Sequence, residues 1–386
     1  MTSKVSMTTV LEEAREHERN YEWLKAAKSY EQALHLEPIN VDFVAETWER
    51  VGYCYSWASR QTEDPEEFKK LRRFAVKAFK SAAKLFERKD SLANKGRTSQ
   101  CSAIAEYMNS WLASNSSEKR QMLDKCLRHG KNSLEAYKGA GDELSYGKMC
   151  NDLLLCLFER LYVAQEHSEL RRIAQEGINL ADEAMVVLLK LGDKSELLRA
   201  FFTASLQSWY AANISEQEEK RKELAQRSLN YSKKALKLSK DVSNPYLSAM
   251  SYWAAAFSTL YFTEKVESSL KYAKKMLKQG IVARDNYLKG VAFYILAHVT
   301  NWIALKEADP EKQKEGYGKI IKYAKEAVQY LKLVSQDFFI AEVYLFYVES
   351  CSSLASVKAS VEEKRSILEK SVETGREGLE YAFRSG

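Results

Sequence analysis

Helix-start signals recur along the whole chain, and between them no stretch alternates polar and apolar residues as a half-buried strand must. Asp64-Pro65-Glu66-Glu67, Asn244-Pro245 and Asp309-Pro310 each set a capping side chain before a proline in the first helical turn, where its missing N–H costs nothing. Ser116-Ser117-Glu118 opens another helix. In Ser215-Glu216-Gln217-Glu218, and again in Ser360 with Glu363, serine and glutamate are expected to satisfy each other's free amides. Cut at these points, the 386 residues make about sixteen helices. They pair as about eight antiparallel hairpins at 7–38, 41–88, 91–139, 142–191, 194–240, 244–280, 284–334 and 336–383. With only 4 prolines and 15 glycines in the chain, helix is the low-cost state almost everywhere. The expected fold class is all-α, an α-solenoid in which 1–386 forms a single helical-repeat domain.

The clearest sign of how the hairpins meet lies between Asn20 and Tyr55. Ala26, Tyr30, Ala33 and Pro38 share one helix face, and Trp48, Val51, Gly52 and Tyr55 share the next. Small residues let the neighbouring helix approach, Tyr30 fills the space between them, and Pro38 is expected to stop the helix because it lacks the next donor. Ala75-Phe79-Ala82 repeats the four-then-three spacing, with weaker versions at Ile320-Ala324-Ala327 and Ser371-Gly375-Gly378. These residues resemble the tetratricopeptide repeat, in detail over residues 7–90 and in architecture beyond. The resemblance implies a right-handed superhelix of stacked hairpins, with the first helix of each pair lining the concave side and holding a bound segment.

A Ser/Asn-Trp pair followed by alanine marks the end of the first helix in four hairpins: Ser56-Trp57, Ser110-Trp111, Ser208-Trp209 and Asn301-Trp302. Matched to the family pattern, the resemblance places Glu49, Tyr53, Ser56 and Trp57 on the concave surface. The analogous places are Tyr107 and Trp111, Phe201 and Trp209, and Tyr294, His298 and Trp302. Aromatic stripes at helical spacing also serve as core, and gap-filling between hairpins is the competing expectation for these tryptophans.

Function classes narrow by chemistry. A net charge of +6 is a mild excess for a chain of this length, which disfavours a dedicated nucleic-acid binder. The base-rich run Lys69, Lys70, Arg72, Arg73, Lys77, Lys80 and Lys84 is expected to be a solvated helix face. Val291 to Leu305, the longest apolar segment, contains His298 and Asn301 and is too short to span a bilayer. The six cysteines, scattered without framework spacing and with no secretory pattern ahead of them, read as buried thiols of a cytoplasmic protein. Cys126 and His129 share a face but have no second pair to complete a metal site. No phosphate-binding glycine loop or nucleophile–base arrangement is present, so neither catalysis nor a cofactor is expected. The expectation is a non-enzymatic scaffold that binds a partner peptide or domain in its groove. The apolar pattern of Leu368, Val372, Leu379 and Phe383 adds self-association through the C-terminal hairpin. The alternatives are a sensor or regulatory arm of a larger signalling protein and an adaptor of the vesicle-fusion type.

Overall fold

The computed structural model describes residues 6–36, 40–356 and 360–385, all of them helix or connecting turn, with no strand. Pro38 lies outside the described residues. The helices are α1 (Met7–Arg19), α2 (Trp23–His35), α3 (Val41–Ser59), α4 (Pro65–Phe86), α5 (Leu92–Ser110), α6 (Ser116–Ala140), α7 (Glu143–Leu161) and α8 (His167–Leu191). After Gly192 come α9 (Lys194–Asn213), α10 (Glu218–Leu238), α11 (Pro245–Phe262), α12 (Val266–Val282), α13 (Asn286–Lys306), α14 (Pro310–Leu333), α15 (Asp337–Ser356) and α16 (Val361–Ser385). Two compact units divide the chain, Met1–Arg160 with Glu183–Leu191 and Leu161–Asp182 with Gly192–Gly386.

Across α1–α6 and across α9–α16, sequential helices pack as hairpins, and each second helix leans on the first helix of the next pair. The small-residue code makes these contacts close. Ala26, Ala33, Ala75, Ala82, Ile320, Ala324 and Ala327 are fully or almost fully buried. Tyr30 and Phe79 fill the space between their alanines, and Gly52 of α3 is pressed flat against the Phe79 ring of α4. In a solenoid each hairpin contacts only its neighbours, so cohesion is a sum of such local interfaces.

The proline signals act as their sequence implies. Asp64, Asn244 and Asp309 accept backbone N–H bonds at the starts of α4, α11 and α14, with proline following at the first position. Gly192 closes α8 in the left-handed region, at φ 71°. The box expected at Ser215 does not form. Helix α9 runs on to Asn213, α10 begins only at Glu218, and Ser215 Oγ is left pointing at the Gln217 carbonyl, 3.3 Å away. At α6 the cap is Asn115, one residue before the expected serines, and Glu118 returns a carboxylate to the Ser114 amide.

The expectation that no segment reaches membrane-spanning length needs correction. α13, of 21 residues, and α15, of 20, are long and apolar enough by length and composition, because the helices extend through polar residues flanking the apolar run. In the second unit α13 has 67% of its apolar window buried by packing and α15 has 44%.

In the second unit the first helices of successive pairs also touch one another, α9 with α11, α11 with α13, and α13 with α15. The second helices show no comparable approach among the described residues. Helices that converge lie on the inside of a bend, so α9, α11, α13 and α15 form the inner wall of this unit.

Candidate functional site

Residues singled out from the sequence fall into two groups, one in each unit. In the first unit, Trp57 stacks on Trp23 of α2, with ring centroids 5.8 Å apart, and Tyr53 stands edge-on to both rings. Tyr53 is 40% exposed and carries the Arg50 guanidinium over its face. Ser56 is buried. Glu49 is drawn to Arg97 of α5, at 2.9 Å, which also reaches Glu46 at 2.7 Å. Tyr107 meets Trp111 edge-on, and Trp111 is only 4% exposed, held between Arg72 at 4.4 Å and Arg60 at 5.9 Å from its ring.

Arg72 corrects the reading of its base-rich run as wholly solvated. It is 2% exposed, with Phe68 below it and Trp111 above, whereas its neighbours Lys69 and Lys70 are surface lysines paired with Glu66 and Glu67 one turn back. A guanidinium stacks on ring faces and keeps its charge when buried, so it suits this seam where lysine would not.

In the second unit the sequence-marked residues are brought together on the inner wall, with one exception. Phe201 turns into its own hairpin, stacking on Tyr231 of α10. Trp209 of α9 stacks on Phe257 of α11 at 4.6 Å and meets Tyr261 at 5.4 Å. Tyr261 in turn contacts Trp302 of α13, and a 3.0 Å hydrogen bond joins its Oη to His298 Nε2. His298 packs 4.9 Å from Phe346 of α15, and Tyr294 lies against Phe257, Phe339 and Phe346.

These rings form two layers. Phe257, Tyr294, Phe339 and Phe346 are buried as a floor, while Trp209, Tyr261, His298 and Trp302 remain part-exposed above it. Trp209 Nε1 and His298 Nδ1 have no hydrogen-bond partner among the described residues.

The electrostatics follow from this burial. His298 is pushed down to about 4 by desolvation, so its ring is neutral over the physiological range. Tyr261 is raised to about 12 by burial and then by the charge of Glu342, and Tyr294 is raised by burial, then by Glu342 and then by Tyr261. Glu342 of α15 is itself shifted upward, first by its own burial and then by Glu349 one face-repeat further along the helix.

Sequence reasoning missed Phe257, Tyr261, Phe346 and Glu342. A signal was present in the steps Trp253-Phe257-Tyr261 and Phe339-Glu342-Phe346-Glu349, which keep one helix face throughout. Among the described residues no group of three or more His, Cys, Asp or Glu side chains is placed to hold a metal. Elsewhere on the second unit, the outward face of α16 exposes Val361, Leu368, Val372, Leu379 and Phe383.

No protein-family model and no curated protein matches the chain. Solved structures do. A Rap protein complexed with competence and sporulation factor is similar over 97% of this chain and 99% of that one, at 12% identity and a TM-score of 0.51. A signal transduction ATPase with numerous domains and a tetratricopeptide repeat sensor, from Pyrococcus horikoshii, aligns with 95% of this chain and 54% of its own, at 13% identity and a TM-score of 0.48. Identity this low speaks for fold alone, and the fold is a tetratricopeptide-like α-solenoid of helical hairpins.

Proposed function

We propose that this chain is a non-enzymatic binding scaffold that holds a peptide segment of a partner protein along the inner wall of its second unit. One observation carries the reading: Trp209, Tyr261, His298 and Trp302 come from three successive first helices and form one part-exposed row over a buried aromatic floor. Rigid aromatic side chains supply large contact area with little entropy left to lose, which is why they dominate binding hot spots. The floor fixes the rings in place before any partner arrives, so little ordering remains to oppose association. The Rap protein of similar fold was solved with a bound factor, which agrees with a binding role for such a stack.

The test is selection from a random linear peptide library on the full chain, followed by affinity measurement on Trp302→Ala and Trp209→Ala. Peptides should bind the parent chain and lose about tenfold or more on each variant. Retained affinity on variants whose circular dichroism and melting are unchanged would refute the inner wall as the site, and so would failure to recover any peptide.

The exposed stripe on α16, spaced at seven, four, seven and four residues, supports a second contact, with another copy of the chain. Light scattering that finds only the mass of one chain at high concentration refutes it.

A further inference from the structure

Glu342 and Glu349 are carboxylates on the same face of α15 as Phe339 and Phe346. Phe339 and Phe346 belong to the floor of the inner wall. Glu342 is part-buried, yet it makes no ion pair and no hydrogen bond with any described residue. Phe339 and Phe346 meet Tyr294 and His298, so Glu342, one turn from each, stands on the face of α15 turned to the inner wall, and its charge raises Tyr261 of α11 and Tyr294 of α13. Lys306 stands at the end of α13. It lies 5.8 Å from the Trp302 ring and pairs with neither glutamate. His298 is neutral and supplies no compensating charge.

A part-buried carboxylate without a counter-ion is unfavourable, because desolvation penalises the charged form and nothing returns the loss. Tyr261 and Tyr294, which feel its charge, carry no positive charge to relieve it. The carboxylate and the aromatic row favour the same occupant. A cation placed here gains ring-face attraction and a carboxylate pair together, in a setting already partly stripped of water.

Resting on the inner wall as the binding site, we propose that the partner segment is a peptide carrying a lysine or arginine, whose side chain lies across Tyr261 and Trp302 and ion-pairs with Glu342, with Glu349 adding long-range attraction. The aromatic row supplies contact area, and Glu342 supplies the choice of charge. Removing one side of such a pair leaves the other uncompensated, so specificity arises from the loss as much as from the gain.

The experiment uses the full chain and peptides recovered from a random linear library. Recovered sequences should share a lysine or arginine at a fixed position. Replacing that arginine by the isosteric neutral citrulline, or the lysine by norleucine, should weaken binding about ten- to hundredfold to the parent chain. The same replacement should have little effect on Glu342→Gln, since the two changes remove one interaction. Recovered peptides without a basic residue, or charge removal and Glu342→Gln acting additively, overturn the ion pair. Binding that is still lost on Trp302→Ala then leaves the inner-wall reading standing. Binding indifferent to Trp302→Ala and Trp209→Ala, or no peptide recovered at all, removes both.

Discussion

Replacing Gly52 by alanine puts a methyl group where α3 meets the Phe79 ring of α4. A Cβ built at this position lies 2.9 Å from Cδ2 and from Cε2 of Phe79 and 3.0 Å from Cγ. Relaxed carbon contacts are ~3.5–4.0 Å, so the ring must retreat by about half an ångström to one ångström. It has little free space to move into, being 2% exposed and part of one buried cluster with Ala75 and Ala82 of its own helix face and Val51 and Tyr55 of α3. Overpacking of this kind costs about 1–3 kcal/mol. Phe79→Ala alone should cost about 3–5 kcal/mol by opening a cavity, but it also vacates the space the new methyl needs. The double variant should therefore be more stable than the sum of the two single losses predicts, by about the strain that Gly52→Ala introduces. A repeat stack does not melt as one two-state unit, so the measurement is amide hydrogen exchange resolved by helix at low urea. Protection should fall in α1 to α6 and stay unchanged in α11 to α16. Additive single losses would remove the steric account. Equal loss of protection in α13 and α14 would remove the claim that cohesion is local.

Arg72→Ala should destabilise the first unit by about 2 kcal/mol or more, since a desolvated guanidinium over Trp111 is lost along with its packing, and amide hydrogen exchange resolved over α4 and α5 reads the change. His298 is held down to about 4 in the folded state, so between its ordinary value near ~6.5 and about 4 the unfolded chain binds more protons. Stability should fall as pH drops through that window, and His298→Phe should flatten the dependence in a melting series from neutral to acid pH. Glu342 has the opposite sign. Its folded-state value is raised, so the folded chain holds the extra proton and loses stability as pH rises out of the ordinary carboxylate range. Glu342→Gln should therefore melt higher than the parent at neutral pH by up to a few degrees, with the gain vanishing in acid. An equal or lower melting temperature contradicts the uncompensated carboxylate.

The fold was legible because small residues at helical spacing have few physical uses. Ala26, Ala33, Ala75 and Ala82 are useful in a sequence of large apolar residues only if another helix must come close, and each of them is buried against one. Proline with a capping residue before it leaves equally little choice, and α4, α11 and α14 start where Pro65, Pro245 and Pro310 stand. Serine alone is weaker punctuation, since its side chain bonds locally in turns as well as in caps, and Ser215 sits in a turn. Arg72 was hidden because charge in a linear run says nothing about which face of the helix it occupies. Tyr261 was hidden for a different reason: α11 is apolar or small on nearly every side, so no polar contrast singles out the face that meets α13. Glu342 is legible only in three dimensions, since a carboxylate in a helix is unremarkable until the fold part-buries it and brings its charge to bear on tyrosines of two other helices.

Filling a seam and the proposed peptide binding are compatible roles for the tryptophans of the recurring Ser/Asn-Trp pair. Trp111 is closed in by two arginines and is only 4% exposed. Trp57 and Trp209 each press one face against a neighbouring hairpin, on Trp23 and on Phe257, and both stay part-exposed. A ring fixed by a stacked neighbour presents its free edge in a single orientation, so the packing that stabilises the seam also preorganises the surface. Replacing Phe257 by leucine separates the two contributions. It keeps the floor apolar and Trp209 present, but removes the 4.6 Å stack that orients Trp209. If orientation matters, peptide affinity should drop several-fold while the indole stays in place, and Trp209 anisotropy should fall in the free chain. Unchanged affinity together with lowered anisotropy would mean that the inner wall binds through contact area alone, whatever the angle of its rings.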